Sequence, residues 1–196
     1  MTTAKPPNLG EILQLTDEQF YELCQNNRDL RIERTAGGDL IVMAPTGGET
    51  GHRNIDLAFQ LQAWSRQNED LGVAFDSSTG FKLPNGADVS PDASWVCRDR
   101  LSNLTAQQKQ RFLPLCPDFV VELRSPTDSL RRLQAKMADY IENGARLGLL
   151  INPQKKQVEI YRPGRDAEII QNQATVSGEN VMPGFVLELG SIFRSL

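Results

Sequence analysis

Burying an ionised carboxylate away from any cation or metal is costly. Glu122 stands inside an apolar run, Asp118-Phe119-Val120-Val121-Glu122-Leu123, so it is either half of an ion pair or a metal ligand. Strand alternation puts Glu122 and Arg124 on one face, about 6.6 Å apart along the chain, with room for a ligand shared between acid and base. Asp92 follows Pro91 at the mouth of what reads as another strand, where a short carboxylate reaches into the cleft left by a neighbouring turn; Asp beside Pro also occurs in plain turns. The combination is what suggests chemistry: a Pro-Asp at a strand start, an acid in a later apolar strand, and a cation two residues beyond that acid.

These residues need elements to hold them. Thr16 and Gln19 form a capping-box signature, and Phe20, Leu23 and Cys24 share a face, which predicts a helix from about Asp17 to Gln25. Leu30 to Arg34 and Leu40 to Met43 flank Gly37-Gly38-Asp39 and read as a hairpin. After a turn-rich Pro45 to Gly51, the spacing of Leu57, Leu61 and Trp64 marks a helix to about Asn68, with Glu49 and His52 at its entrance. Strands are expected at Val73 to Phe75, Phe81 to Leu83 and Asp92 to Cys97, and a weaker helix at Ser102 to Arg111. The Glu122 strand, apolar between its ends, should be covered on both faces. Leu130, Leu133, Met137, Tyr140 and Ile141 define an amphipathic helix that Asn143-Gly144 ends, followed by strands at Leu147 to Ile151, Val158 to Tyr161 and Glu168 to Ile170. A mixed central sheet follows, with the Glu122 strand interior and the Asp92 strand beside it.

A chain of 196 residues with 39% hydrophobic and 23% charged residues suits one compact domain over residues 15–196 after a flexible tail at 1–14. No apolar run approaches the roughly 18 residues of a membrane span and no secretory pattern opens the chain, so a cytoplasmic protein is expected. Cys24, Cys97 and Cys116 are odd in number and widely spaced, which reads as reduced thiols rather than a disulfide or zinc framework. A net charge of −4 argues against non-specific coating of nucleic acid but leaves room for a local basic groove. His52 is the only histidine, which disfavours His-rich metal sites, and no Gly-x-Ser-x-Gly elbow accompanies it. The Gly47-Gly48-Glu49-Thr50-Gly51 segment lacks the Gly-Lys-Ser/Thr ending of a phosphate loop.

Ser90-Pro91-Asp92, then Phe119-Val120-Val121-Glu122-Leu123-Arg124-Ser125-Pro126, then Lys136 with Tyr140, Gly144, and Pro183-Gly184-Phe185 form an ordered set. In these segments the chain resembles the Uma family within the PD-(D/E)xK restriction-endonuclease-like superfamily, from about Leu15 onward. The resemblance implies an α/β fold of the α+β, mixed-sheet kind: a restriction-endonuclease-like αβββαβ core with an N-terminal helix and hairpin added. It implies Mg²⁺, or Mn²⁺, on Asp92, Glu122 and the backbone carbonyl of Leu123, with Glu49 as a further acid acting through water. It also implies hydrolysis of nucleic-acid phosphodiester bonds, most readily DNA, by a homodimer, since cutting two strands needs two sites. A nuclease-like scaffold that binds nucleic acid or a protein without cutting is the alternative.

Arg124 departs from the family pattern, which has lysine there. Arginine stays protonated, so it can hold a phosphate oxygen but cannot act as a base. The lysine role can instead fall to Lys136. A helix starting near Ser129 runs back along the strand, and Lys136 then lies about 10 Å back, which is about three strand residues and hence level with Glu122. Otherwise Lys136 is an exposed lysine on a solvated face. In the catalytic reading, Lys136 orients or helps to deprotonate the attacking water and Arg124 holds a phosphate, while His52 caps, packs or contacts substrate.

Overall fold

The computed structural model describes residues 15–196, and the tail expected at 1–14 lies outside them. Helix α1 (Asp17–Asn26) opens on the capping box, Thr16 Oγ1 accepting from Gln19 N and Gln19 Oε1 accepting from Thr16 N. Strands β1 (Arg31–Arg34) and β2 (Leu40–Met43) form the expected hairpin. Helix α2 (Gly48–Gln67) begins earlier than its apolar spacing indicates and buries Leu57 and Leu61. Strands β3 (Gly72–Asp76), β4 (Phe81–Lys82), β5 (Asp88–Val89) and β6 (Ala93–Cys97) follow, then two short helices, α3 (Arg98–Ser102) and α4 (Ala106–Lys109). The second half runs β7 (Phe119–Leu123), α5 (Leu130–Glu142), β8 (Leu147–Asn152), β9 (Gln157–Tyr161), β10 (Glu168–Gln171), β11 (Thr175–Ser177), β12 (Val186–Glu188) and α6 (Gly190–Phe193).

The main sheet has six strands in the order β10-β9-β8-β7-β6-β3, mixed because β7 and β8 are parallel and every other pair is antiparallel. Parallel neighbours need a crossover, and α5 supplies it. β7 is interior and buried along its whole length, with β6 beside it, as its apolar run demands. One face packs Trp95, Phe119 and Val121 on α2 and the C-terminal segment; the other packs Val120 and Leu150 on Met137 and Tyr140 of α5.

The hairpin, expected as an addition to the core, belongs to a second, four-stranded sheet in the order β2-β1-β5-β4, and meets β5 through the single pair Arg34↔Asp88, whose side chains form a buried ion pair at 2.6 Å. Two expectations are corrected. The helix expected over Ser102 to Arg111 is split, because Thr105 starts a new helix by its own capping box with Gln108. The strand expected from Asp92 begins at Ala93 instead. The Asp92 side chain, rather than its backbone, binds the neighbouring strand, since Oδ2 accepts from Leu123 N at 2.9 Å.

Candidate active site

The two acids lie at neighbouring strand ends, and α5 crosses above them. Lys136 Nζ is 2.8 Å from Glu122 Oε1 and 2.8 Å from Glu33 Oε1, bridging the central sheet and the hairpin. Its side chain is only 17% exposed, so it is not the solvated lysine that its sequence context also allowed. Tyr140, one turn further along α5, donates from its hydroxyl to Glu122 Oε1 at 2.9 Å. Asp92 accepts from Leu123 N and pairs through Oδ1 with Arg31 Nη1 at 3.2 Å. Arg31 Nη2 also donates to the Ser90 carbonyl, and Glu33 Oε1 accepts from Ser90 N at 2.9 Å. The Ser90-Pro91-Asp92 turn is thereby tied to both β1 and β7.

Burial pushes the Glu122 carboxyl up to about 7; Lys136 opposes the shift, and Asp92 and Glu33 add to it. Burial works against the Lys136 ammonium too, but Glu122 and Glu33 outweigh it and hold its pKa above the ordinary lysine range. Arg31 is raised in the same way, with Asp92, Glu122 and Glu33 overcoming burial. Burial, joined by Glu122, keeps the Tyr140 hydroxyl protonated, so it is a permanent donor to that carboxylate. Three carboxylates facing two cations leave the cluster formally negative when all are ionised.

Asp92, Glu122, Leu123 and Lys136 are thus brought together, whereas the side chains of Arg124, Glu49 and His52 make no hydrogen bond or ion pair with them among the described residues. Arg124 lies just past β7, with its Nε donating to the Asp128 carbonyl at 3.3 Å. Glu49 sits in the first turn of α2 and pairs with Arg53 at 3.1 Å, and His52 is exposed on the same helix. In their place the hairpin contributes Glu33 and Arg31, which sequence reasoning missed. Their one signal was an acid and an arginine two apart on one strand, the spacing already noted for Glu122 and Arg124.

Among the described residues no three His, Cys, Asp or Glu side chains are arranged to hold a metal ion. The oxygens present still suit Mg²⁺, which binds through one or two carboxylates and keeps several waters. Among the described residues, both polar contacts of Glu122 fall on Oε1, which leaves Oε2 for another partner.

The family model described as "Uma2: Putative restriction endonuclease" matches residues 17–190. No curated protein matches this chain. Among solved structures, one described as a "putative nuclease belonging to DUF820" from Anabaena variabilis is similar over 96% of this chain and 98% of that one, with a TM-score of 0.72 and 18% identity. At that identity the likeness is one of fold. No helix among the described residues is long and apolar enough to cross a membrane.

Proposed function

The chain belongs to the Uma2 family, and from that premise we propose that it is a Mg²⁺-dependent endonuclease, Mn²⁺ being an alternative, that hydrolyses DNA phosphodiester bonds. The observation that carries the reading is Lys136 Nζ at 2.8 Å from the buried carboxylates of Glu122 and Glu33, beside Asp92. This is an acid, acid and lysine constellation with the lysine supplied by a helix in place of the strand position held by Arg124.

Asp92 and Glu122 would hold the ion, with the Leu123 carbonyl as a further oxygen. When bound, Mg²⁺ makes a coordinated water more acidic and offsets charge on the phosphoryl oxygens. Lys136 acts as a donor: two carboxylates keep it protonated, so it orients the attacking water and stabilises negative charge rather than accepting the proton. Tyr140 fixes the Glu122 carboxylate through its hydroxyl. Arg124, with donors to spare beyond the Asp128 carbonyl, holds a phosphate. Glu49 would act on the ion through water and His52 contacts substrate, both from the exposed start of α2. Residues 15–196 act as one nuclease-like domain, and a homodimer cuts both strands.

A second reading, binding without cutting, draws on one observation: Lys136 and Arg31 already neutralise Glu122 and Asp92. Incubation with plasmid and single-stranded DNA in Mg²⁺ or Mn²⁺ separates the two. Cleavage by the wild type that Asp92→Ala abolishes is expected. Equal rates for both proteins sink the nuclease reading, and binding with no cleavage favours the scaffold.

A further inference from the structure

Behind the hairpin, on the side of α1, lies a cleft of about 380 Å³, within the range of about 300–1,000 Å³ typical of small-ligand sites. Arg31 belongs both to this cleft and to the carboxylate cluster, since it lines the one and pairs with Asp92 in the other. Arg28 adds a second guanidinium, against the single carboxylate of Asp29. Ser77 offers a hydroxyl, that of Ser78 donates to Asp76 Oδ1 at 2.7 Å, and Phe112 forms an aromatic wall braced edge-on by Phe20 and Tyr21. Arg31 is not saturated by its protein contacts: its Nε is buried with no partner among the described residues.

Guanidinium groups, a hydroxyl and an aromatic wall in one small cleft match the phosphate, sugar and base of a nucleotide. We propose that this cleft receives the nucleotide next to the scissile phosphate on a DNA strand, with Arg28 and Arg31 on its phosphate and Phe112 against its sugar or base. The proposal rests on the nuclease reading and adds the path of the strand. It runs from the carboxylates over Arg31 into the space between α1, β1 and the Ser77-Ser78 turn. Arg31 then links the cleft to Asp92, so that a seated nucleotide and a correctly placed acid report on each other.

The test uses the whole protein and a fluorescein-labelled single-stranded DNA 12-mer, with Ca²⁺ replacing Mg²⁺ so that binding is read without cleavage. Cys24 lines the cleft, whereas Cys97 ends β6 at the far end from Asp92. Bound DNA is expected to slow alkylation of Cys24, read by peptide mass spectrometry, and to leave Cys97 unchanged. Arg28→Ala, at an exposed position that leaves packing intact, is expected to weaken binding and to reduce the slope of log affinity against log salt by about 1. DNA that binds while Cys24 reacts at its free rate, and whose salt slope Arg28→Ala leaves unchanged, overturns the cleft and spares the nuclease reading. No binding of the 12-mer at any salt overturns the cleft, and the nuclease reading then stands or falls separately on plasmid cleavage by the wild type that Asp92→Ala abolishes.

Discussion

Replacing Lys136 with methionine keeps the volume of the stem and removes the charge between two buried carboxylates. Both partners are 5% exposed, and breaking a buried pair on one side costs about 3–5 kcal/mol because the remaining charge is left uncompensated. For a chain of this size that is a fall in Tm of about 2–4 °C per kcal/mol. The cost must depend on pH, and its sign follows from Glu122. In the wild type Glu122 titrates at about 7, with Lys136 holding it down. Without Lys136 its pKa rises further, so above pH 7 the folded variant carries a proton that the folded wild type has lost. The unfolded chains do not differ there. Each pH unit of that difference adds about 1.4 kcal/mol to the destabilisation, so the loss should grow by about 2 kcal/mol from pH 7 to pH 8.5. Urea titrations followed by fluorescence of the core tryptophans Trp64 and Trp95 measure it. A loss that is constant, or that shrinks as the pH rises, refutes the assignment of Lys136 as the counter-ion of Glu122.

Glu122→Gln should remove a related slope: a raised carboxyl contributes stability below its ordinary value of 4.5 and loses it as pH climbs to about 7, so the metal-free wild type should weaken over that window more than the variant. Millimolar Mg²⁺ or Mn²⁺ should raise the wild-type Tm in differential scanning calorimetry, and Asp92→Ala should erase the shift. Lys136→Ala is expected to abolish cleavage with DNA binding mostly retained, whereas Arg124→Lys should keep at least part of the activity; the reverse pattern in paired cleavage and anisotropy assays would return the lysine role to position 124. Gly72→Ala should cost about 1–3 kcal/mol in denaturant melts, because a Cβ there would lie 2.3 Å from both Trp95 Cζ2 and the Val96 carbonyl.

What could be read from sequence was whatever local chemistry dictates. The apolar run around Glu122 required an interior strand, and the helix rise and strand rise together put Lys136 level with it; the structure has both. Thr16 and Gln19 fixed the start of α1, and Gly144, at φ 108°, ends α5 as a left-handed cap. Glu33 and Arg31 escaped notice because nothing near them in sequence signals where the hairpin docks. That is decided by Arg34 and Asp88, residues far apart in the chain whose charges are matched only after folding. Glu49, a site acid by family resemblance, pairs with Arg53 one helical turn away, a local contact that its sequence spacing permits.

The hairpin's attachment by one strand pair also bears on the order in which the molecule assembles. Glu33 and Lys136 are 103 positions apart and Arg31 and Asp92 are 61 apart, so these contacts carry a large loop-closure entropy and form after the local helices and turns. A nascent chain that has not yet released α5 has its acids but no lysine between them. In the finished protein, opening of β1 and β2 would strip Glu33 and Arg31 from the cluster, and the single strand pair that attaches the hairpin makes this the expected first opening, with β6, β7 and α5 still packed. Amide protons of Ile32 and Arg34 should therefore exchange faster than those of Val120 and Val121, and the hairpin's own opening free energy sets how much of the population carries a complete site.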